Sequence, residues 1–156
     1  MDAIALLKAD HKKVEDLFKQ VEALGDRAHA SRGKLFAKID SELAVHAQIE
    51  EKIFYPAFKA RTEPNTEPGD EVLEAYEEHD NVKGMLAKLE ALEPSDETYN
   101  AKLQVLSELV KHHVKEEETE MFKQVRKLFD KTELEELGEK LAAAKLRLAA
   151  KTKGRR

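Results

Sequence analysis

The chain has 156 residues, of which 38% are charged and 6% aromatic, and its net charge is −5. A chain of this length can bury a substantial core, and abundant charge with few glycines and prolines favours long solvated helices over a sheet. The negative charge disfavours nucleic acid as the main partner, because phosphate binding requires a cationic surface. Cysteine is absent, which excludes disulfides, thiolate metal ligands and a cysteine nucleophile.

Nothing in the sequence predicts contact with a membrane. The chain has no apolar run of about 18 residues, the length that a membrane-spanning helix needs. Residues 1–18 lack a basic segment followed by an apolar stretch, so they do not resemble a signal peptide. We therefore expect a cytoplasmic protein without a membrane partner.

Apolar residues recur at helical spacing along almost the whole chain, and the alternation typical of strands is absent. This pattern predicts four long helices, at residues 2–24, 31–61, 70–92 and 96–129, with Ser31 as the N-cap of the second. Residues 62–69 contain two prolines and are predicted to form a loop. Because the loops are short, neighbouring helices should be antiparallel. The expected fold is therefore all-α, an up-down-up-down four-helix bundle.

A fifth helix is predicted after the bundle. Thr132 and Glu135 have the spacing of a capping box, and the helix should run to about residue 151. Its apolar residues form one narrow stripe: Leu134, Leu137, Leu141, Ala144 and Leu148. The stripe either packs on the outside of the bundle or forms a dimerisation helix or a lid. We expect residues 1–130 to form the bundle and residues 131–156 an amphipathic helix with a solvated basic tail.

Four histidines and two glutamates form an internal repeat. Residues 10–14 resemble residues 78–82, and each segment is followed 34 or 35 residues after its histidine by His-x-x-x-Glu. The residues of this pattern are His11, His46, Glu50, His79, His113 and Glu117. A repeat of this kind predicts two helix pairs that present equivalent half-sites to each other.

Each of these histidines lies on the apolar stripe of its helix, at a similar distance from the helix end. Residues four apart on a helix differ by about 40°, so each glutamate faces the same way as its histidine. Six polar side chains are thus predicted in one buried layer, where unpartnered imidazoles and carboxylates are unfavourable. Two cations would satisfy all six, and imidazole with carboxylate suits iron, manganese or zinc. The alternative is a bundle without metal, whose histidines are hydrogen-bonded core residues or members of surface salt bridges.

The sequence resembles the hemerythrin and HHE cation-binding family over residues 1–130. The resemblance rests on DH at residues 10–11, HAQIEEKIFYP at 46–56, EEHD at 77–80 and HHVKEEETEMF at 112–122. It implies a non-haem di-iron centre of the Fe–O–Fe type. His11, His46, His79 and His113 would then be terminal ligands, and Glu50 and Glu117 would bridge the irons.

Two positions depart from the oxygen-carrying members of that family. Lys83 stands where those proteins have a second histidine one turn after the third-helix ligand, and it either lines the pocket or extends to solvent. Tyr55 stands where some bacterial members place a tyrosine ligand, and it is either a ligand or a core aromatic residue.

The choice of histidine on the fourth helix is left open by spacing alone. His112 and Glu116 are also four apart, but alignment of the two halves of the repeat favours His113 and Glu117. His29 is expected to be a surface residue in a loop.

The resemblance implies that the partners are small molecules: O₂, hydrogen peroxide or nitric oxide. We expect a sensing or detoxifying protein, with turnover of peroxide or nitric oxide as one form of that function. An alternative is iron storage or donation, as in relatives that repair iron–sulfur clusters. A homodimer through the fifth helix is a further expectation.

Overall fold

Every regular element of the computed structural model is helical within the described residues, which comprise the backbone of residues 1–154 and side chains through residue 151. The α-helices are α1 (Ala3–Glu22), α2 (His29–Ile49), α3 (Tyr55–Lys59), α4 (Glu67–Glu90), α5 (Tyr99–Glu116), α6 (Phe122–Leu128) and α7 (Lys131–Gly154). Two π-helical turns, Glu50–Phe54 and Glu117–Met121, join α2 to α3 and α5 to α6 without a break. The all-α bundle with an extra C-terminal helix is confirmed.

Two predicted helix caps are wrong, and the helices predicted to start at residues 70 and 96 start at Glu67 and Tyr99. Ser31 lies inside α2, whose N-cap is Ala28 and has no side-chain cap. At the start of α7, Asp130 and Glu133 form the reciprocal capping box, each backbone N–H donating to the carboxylate of the other. Asp130 and Glu133 have the same spacing as the predicted pair Thr132 and Glu135, so the sequence offers two equivalent boxes.

The core consists of two apolar clusters. One contains Ile4, Phe54, Phe58 and Val125, and it lies at the end of the bundle where α7 packs. The other, at the opposite end, contains Phe18, Ile39, Leu86, Tyr99 and Leu106. Along the chain, the four histidines of the repeat fall between residues of the first cluster and residues of the second. The fold therefore places a polar layer between two apolar blocks.

The helix α7 packs on α1 and α2, outside the four-helix bundle. Leu134, Leu137, Leu141 and Ala144 of its stripe are buried within the chain itself. The contact is close at Gly138, where an added Cβ would stand 2.2 Å from the carbonyl oxygen of Met1. The stripe therefore packs on the bundle, and the homodimer stays a prediction that would need a different surface.

No helix among the described residues is long and apolar enough to cross a membrane. The predicted solvated tail begins at Lys151, which is exposed, but the side chains of residues 152–156 lie outside those described.

Candidate metal centre

The predicted ligands meet in one buried layer of the bundle. None of the seven is more than 7% exposed: His11, His46, Glu50, Tyr55, His79, His113 and Glu117. The histidines lie on α1, α2, α4 and α5, one on each helix. The two glutamates begin the π-helical turns that follow α2 and α5, and the tyrosine begins α3. The structure therefore brings together all the residues that the repeat and the resemblance selected.

A π-helical turn begins at each of the two glutamates. The backbone N–H of Tyr55 donates to the carbonyl of Glu50, and that of Phe122 donates to the carbonyl of Glu117. On an uninterrupted α-helix, residues five apart point about 140° away from each other. The wider turn instead brings Tyr55 to the same side as Glu50, so that both side chains enter the layer. Apolar spacing, read as one straight helix, gives no sign of this turn.

One half-site is formed by His11 and His46. The Nε2 atom of His11 lies 3.1 Å from Glu117 Oε1, and that of His46 lies 3.1 Å from Glu50 Oε1. Beyond these two carboxylate contacts, neither imidazole Nε2 has a hydrogen-bond partner, and neither does Glu50 Oε2 or Glu117 Oε1, although all four atoms are buried. The ring of Phe122 stacks on His11 at 6.1 Å and adds no polar atom. This half-site therefore holds buried polar atoms that the described part of the chain does not satisfy.

The other half-site is formed by His79 and His113. The hydroxyl oxygen of Tyr55 lies 3.2 Å from His79 Nε2 and 3.3 Å from His113 Nε2. The same hydroxyl donates to Glu117 Oε2 at 2.5 Å, and His79 Nε2 lies 3.1 Å from Glu50 Oε1. Tyr55 thus gives these two imidazoles a hydroxyl contact that the first half-site lacks.

A carboxylate holds the outward-facing nitrogen of every imidazole. The Nδ1 pairs are His11 with Glu118 at 2.6 Å, His46 with Asp10 at 2.9 Å, His79 with Glu51 at 2.8 Å and His113 with Glu78 at 2.8 Å. A carboxylate on Nδ1 fixes the orientation of the ring and directs Nε2 towards the interior. This arrangement is typical of histidines that bind metal through Nε2.

Sequence analysis did not identify these four carboxylates, although the repeat contains the signal. Asp10 and Glu78 occupy equivalent positions, directly before a histidine of the pattern, and each contacts the histidine on the next long helix. Glu51 and Glu118 are also equivalent, because each directly follows a glutamate of the pattern. Both of these contact a histidine of the opposite half. The repeat therefore duplicates the supporting carboxylates as well as the inner donors.

Two lysines extend this support. Lys83 donates to Glu51 at 3.0 Å, and Lys145 of α7 donates to Asp10. Lys83 is 51% exposed and also lines the cavity beside the histidines, so both readings of this residue hold. The pKa of Asp10 is lowered: burial would raise it, but the bonds from His46 and Lys145 outweigh burial.

The same network raises the pKa values of the inner imidazoles. Burial alone would lower the pKa of His46, but Glu50 and Asp10 outweigh burial and raise it to about 10. The pKa of His113 is raised well above its ordinary value, because Glu117 and Glu50 outweigh burial. Burial raises the pKa of the Tyr55 hydroxyl, and the charges of Glu117 and Glu50 raise it further. A cation entering the layer must displace the protons that these groups hold.

Burial distinguishes the two histidine–glutamate pairs of the fourth long helix. His113 is 6% exposed and Glu117 is 2% exposed, so this pair faces the layer. The side chain of His112 is 65% exposed and that of Glu116 is 40% exposed. His29 is exposed as expected, but it begins α2 instead of lying in a loop.

The donor geometry fits metal ions. The atoms offered by His11, His46, Glu50 and Glu117 lie within 4.8 Å of one another, and so do those offered by Glu50, His79 and His113. Nitrogen and oxygen ligands at about 2.1 Å from an ion are at most about 4.2 Å apart, which small shifts would reach. Glu50 belongs to both groups, so the two groups of candidate metal ligands adjoin each other.

The family model described as the hemerythrin HHE cation-binding domain matches residues 2–125. The chain belongs to the hemerythrin HHE family. The fold of this family and the histidine–glutamate clusters together imply a metal-binding protein.

A solved structure of another HHE domain is similar along nearly the whole chain. It is the HHE cation-binding domain-containing protein from Mycobacterium kansasii, described as an Rv2633c homolog, with a TM-score of 0.82 and 27% identity. The similarity covers 97% of this chain and 89% of that one, so it includes α7. The uncharacterized protein Rv2633c of Mycobacterium tuberculosis is 29% identical over 144 residues, which are 92% of this chain and 84% of that protein.

A further relative is a DNA nickase from Nostoc sp. strain PCC 7120. It is 26% identical to this HHE chain over 150 residues. The match covers 96% of this chain but spans only 40% of the nickase.

Proposed function

We propose that this chain is a non-haem di-iron protein that binds or reacts with O₂, peroxide or nitric oxide. The observation that carries the proposal is the set of four imidazoles directed inward by carboxylates around two buried glutamates. Two bound iron ions would supply the redox chemistry towards these small molecules.

The residues have distinct roles in this proposal. His11 and His46 hold one iron, His79 and His113 hold the other, and Glu50 lies between the two groups of donors. Glu117 reaches both half-sites, since its Oε1 faces His11 and its Oε2 faces His113 at 3.3 Å.

Tyr55 is proposed as a ligand of the second half-site. Its hydroxyl lies among the donors of His79 and His113, so only loss of its proton is needed to make it an oxygen ligand. The pKa of this hydroxyl is raised in the metal-free layer by burial and by two carboxylates, so iron binding here is coupled to proton release.

On the α7 side, aromatic side chains limit access of water to the layer. Phe54 and Phe122 are buried against the histidine layer on the α7 side, with their rings 5.9 Å apart in an edge-to-face contact. Apolar walls of this kind exclude water, and they admit small uncharged molecules more readily than ions.

The first experiment is metal analysis with visible spectroscopy on protein purified without added metal. We expect about two iron ions per chain, as the paired clusters suggest. The reduced protein is then exposed to O₂ and to hydrogen peroxide. A reversible spectral change supports binding, whereas irreversible oxidation with consumption of peroxide supports turnover; purified protein without bound metal contradicts the proposal.

Iron donation is the second candidate, and one observation favours it. Glu78 holds His113 on one side and faces the exposed His112 on the other, at 3.4 Å. The carboxylate of Glu78 therefore lies between the buried layer and solvent, where a path for iron release would need a ligand. Transfer of iron to an apo iron–sulfur protein at a useful rate supports donation, and iron retained against a chelator contradicts it.

We propose no DNA cleavage for this chain. The nickase name belongs to a protein of which this chain matches 40%, and the net charge of −5 opposes binding to phosphates.

A further inference from the structure

A groove between α2 and α4 leads from the histidine layer towards the end of the bundle that is distant from α7. It has a volume of about 630 Å³, and all four inner histidines line one end of it. Leu43, Ala47, Val82, Leu86 and Val110 form its apolar walls. We call this space, with Asp40 and Glu90 at its far end, the α2–α4 groove.

The groove is much larger than the molecules proposed above would need. A water molecule occupies about 30 Å³, and O₂, nitric oxide and hydrogen peroxide are of similar size. Volumes of about 300–1,000 Å³ are typical of pockets that bind organic ligands. The volume therefore indicates an organic molecule as an additional ligand of this space.

The groove is elongated along the bundle. Asp40 precedes His46 by six residues on α2, which corresponds to about 9 Å. Glu90 follows His79 by eleven residues on α4, which corresponds to about 16 Å. An unbranched aliphatic chain fits a space of this length better than a compact ring does.

The far end of the groove carries negative charge without a cation. No lysine, arginine or histidine among the described residues forms a salt bridge with Asp40 or Glu90. The pKa of Asp40 is raised to about 7, because burial disfavours its charge and Glu90 lies beside it. A positively charged group placed here would stabilise both carboxylates.

The near end has no unpaired carboxylate to offer. Lys52 and Lys83 stand there with Asp10 and Glu51; Lys83 is paired with Glu51, and Asp10 with Lys145. A cationic head group therefore gains more at Asp40 and Glu90, so its aliphatic chain points towards the histidine layer.

We propose that the α2–α4 groove binds a linear aliphatic amine as its ammonium ion, with the head group at Asp40 and Glu90 and the chain along the apolar walls. This site goes beyond the proposed reaction with small molecules, and it does not depend on which metal the layer holds.

The test compares octylammonium, octanoate and 1-octanol by titration calorimetry with the full, metal-loaded chain. We expect octylammonium to bind at least tenfold more tightly than either of the others. The double variant Asp40→Asn, Glu90→Gln should lose that preference, while the control Glu97→Gln, an exposed carboxylate outside the groove, should retain it. Ala44→Phe, which fills the exposed edge of the groove, should weaken all three ligands.

Tighter binding of octanoate would assign the ligand to the lysine end and overturn the proposal. Equal affinity for the three probes, no binding of any, or an unchanged preference in the double variant would also overturn it. Iron content and the visible spectrum are measured on the same samples. If octylammonium does not bind but the chain contains its iron, only the amine proposal fails. If the chain contains no iron, the di-iron proposal fails.

Discussion

The two half-sites of the layer come from equivalent positions of one repeat, yet they differ by a single oxygen atom. Tyr55 and Phe122 each follow a π-helical turn that starts at a glutamate of the layer. The Tyr55 hydroxyl reaches His79 and His113, whereas Phe122 only stacks on His11.

This difference changes how strongly each half-site depends on a bound cation. The Nε2 atoms near Tyr55 contact its hydroxyl as well as the glutamates, while those of His11 and His46 contact only a glutamate. Buried polar atoms with fewer partners are less favourable, so the half-site beside Phe122 depends more strongly on a bound cation. A duplicated set of ligands can thus acquire two chemically distinct positions through one side chain.

The largest expected effect is the loss of both half-sites together. Glu50 and Glu117 each contact donors of both halves, so Glu50→Ala or Glu117→Ala should reduce bound iron from about two ions per chain to well below one. Metal analysis after dialysis measures this. Glu97→Ala and His29→Ala, at exposed positions, should retain the normal content. Retained iron in the Glu50 and Glu117 variants would exclude a shared role for these two glutamates.

The next effect should separate the half-sites. Tyr55→Phe makes the second half resemble the first, so we expect one of the two ions to bind about tenfold more weakly. Competition with a chelator, followed by metal analysis, resolves the two affinities. Tyr99→Phe is the matched control, because Tyr99 is also buried but lies in the cluster beyond the layer. Identical affinities in the Tyr55 variant and the parent chain would show that the oxygen does not bind metal.

The pH dependence of metal binding gives a further test of the half-site formed by His11 and His46. The pKa of His46 is raised to about 10, so this imidazole holds a proton at neutral pH in the metal-free chain, and the pKa of His11 is raised as well. A metal ion must displace such protons, and its apparent affinity should therefore rise with pH, by about tenfold per unit for each proton displaced. Calorimetry in buffers with different ionisation enthalpies counts the protons. Metal binding without proton release would contradict the raised pKa values.

The smallest effect concerns the two lysines that pair with carboxylates supporting the imidazoles, one in each half-site. Lys145→Met removes the cation that supports Asp10 and, through it, His46; Lys83→Met does the same for Glu51 and His79. Both lysines are partly exposed, so each interaction contributes about 1 kcal/mol or less, and iron loss to a chelator should accelerate only a few-fold. Lys140→Met, on an exposed face of α7, should leave the rate unchanged.

The helices and the inner donors could be predicted because both depend on spacing. Apolar residues at helical intervals define each long helix, and the two His-x-x-x-Glu pairs place their side chains on that apolar face. The repeat then selected His113 over His112, and burial in the structure agrees.

The remaining features depend on contacts between helices or on local changes of turn. The π-helical turns leave no mark on apolar spacing, so the route by which Tyr55 enters the layer could not be derived. The pairing of Glu51 with His79 and of Glu118 with His11 crosses between halves, and only the three-dimensional arrangement shows it. The α2–α4 groove also depends on how two helices lie relative to each other, which no single segment encodes.

The most direct test of the paired half-sites is anomalous diffraction at the iron absorption edge from crystals of the purified chain. We predict two peaks, one against His11 and His46 and one against His79, His113 and Tyr55, with Glu50 and Glu117 contacting both. A single peak, peaks outside this layer, or no peak in protein purified without chelators would contradict the account.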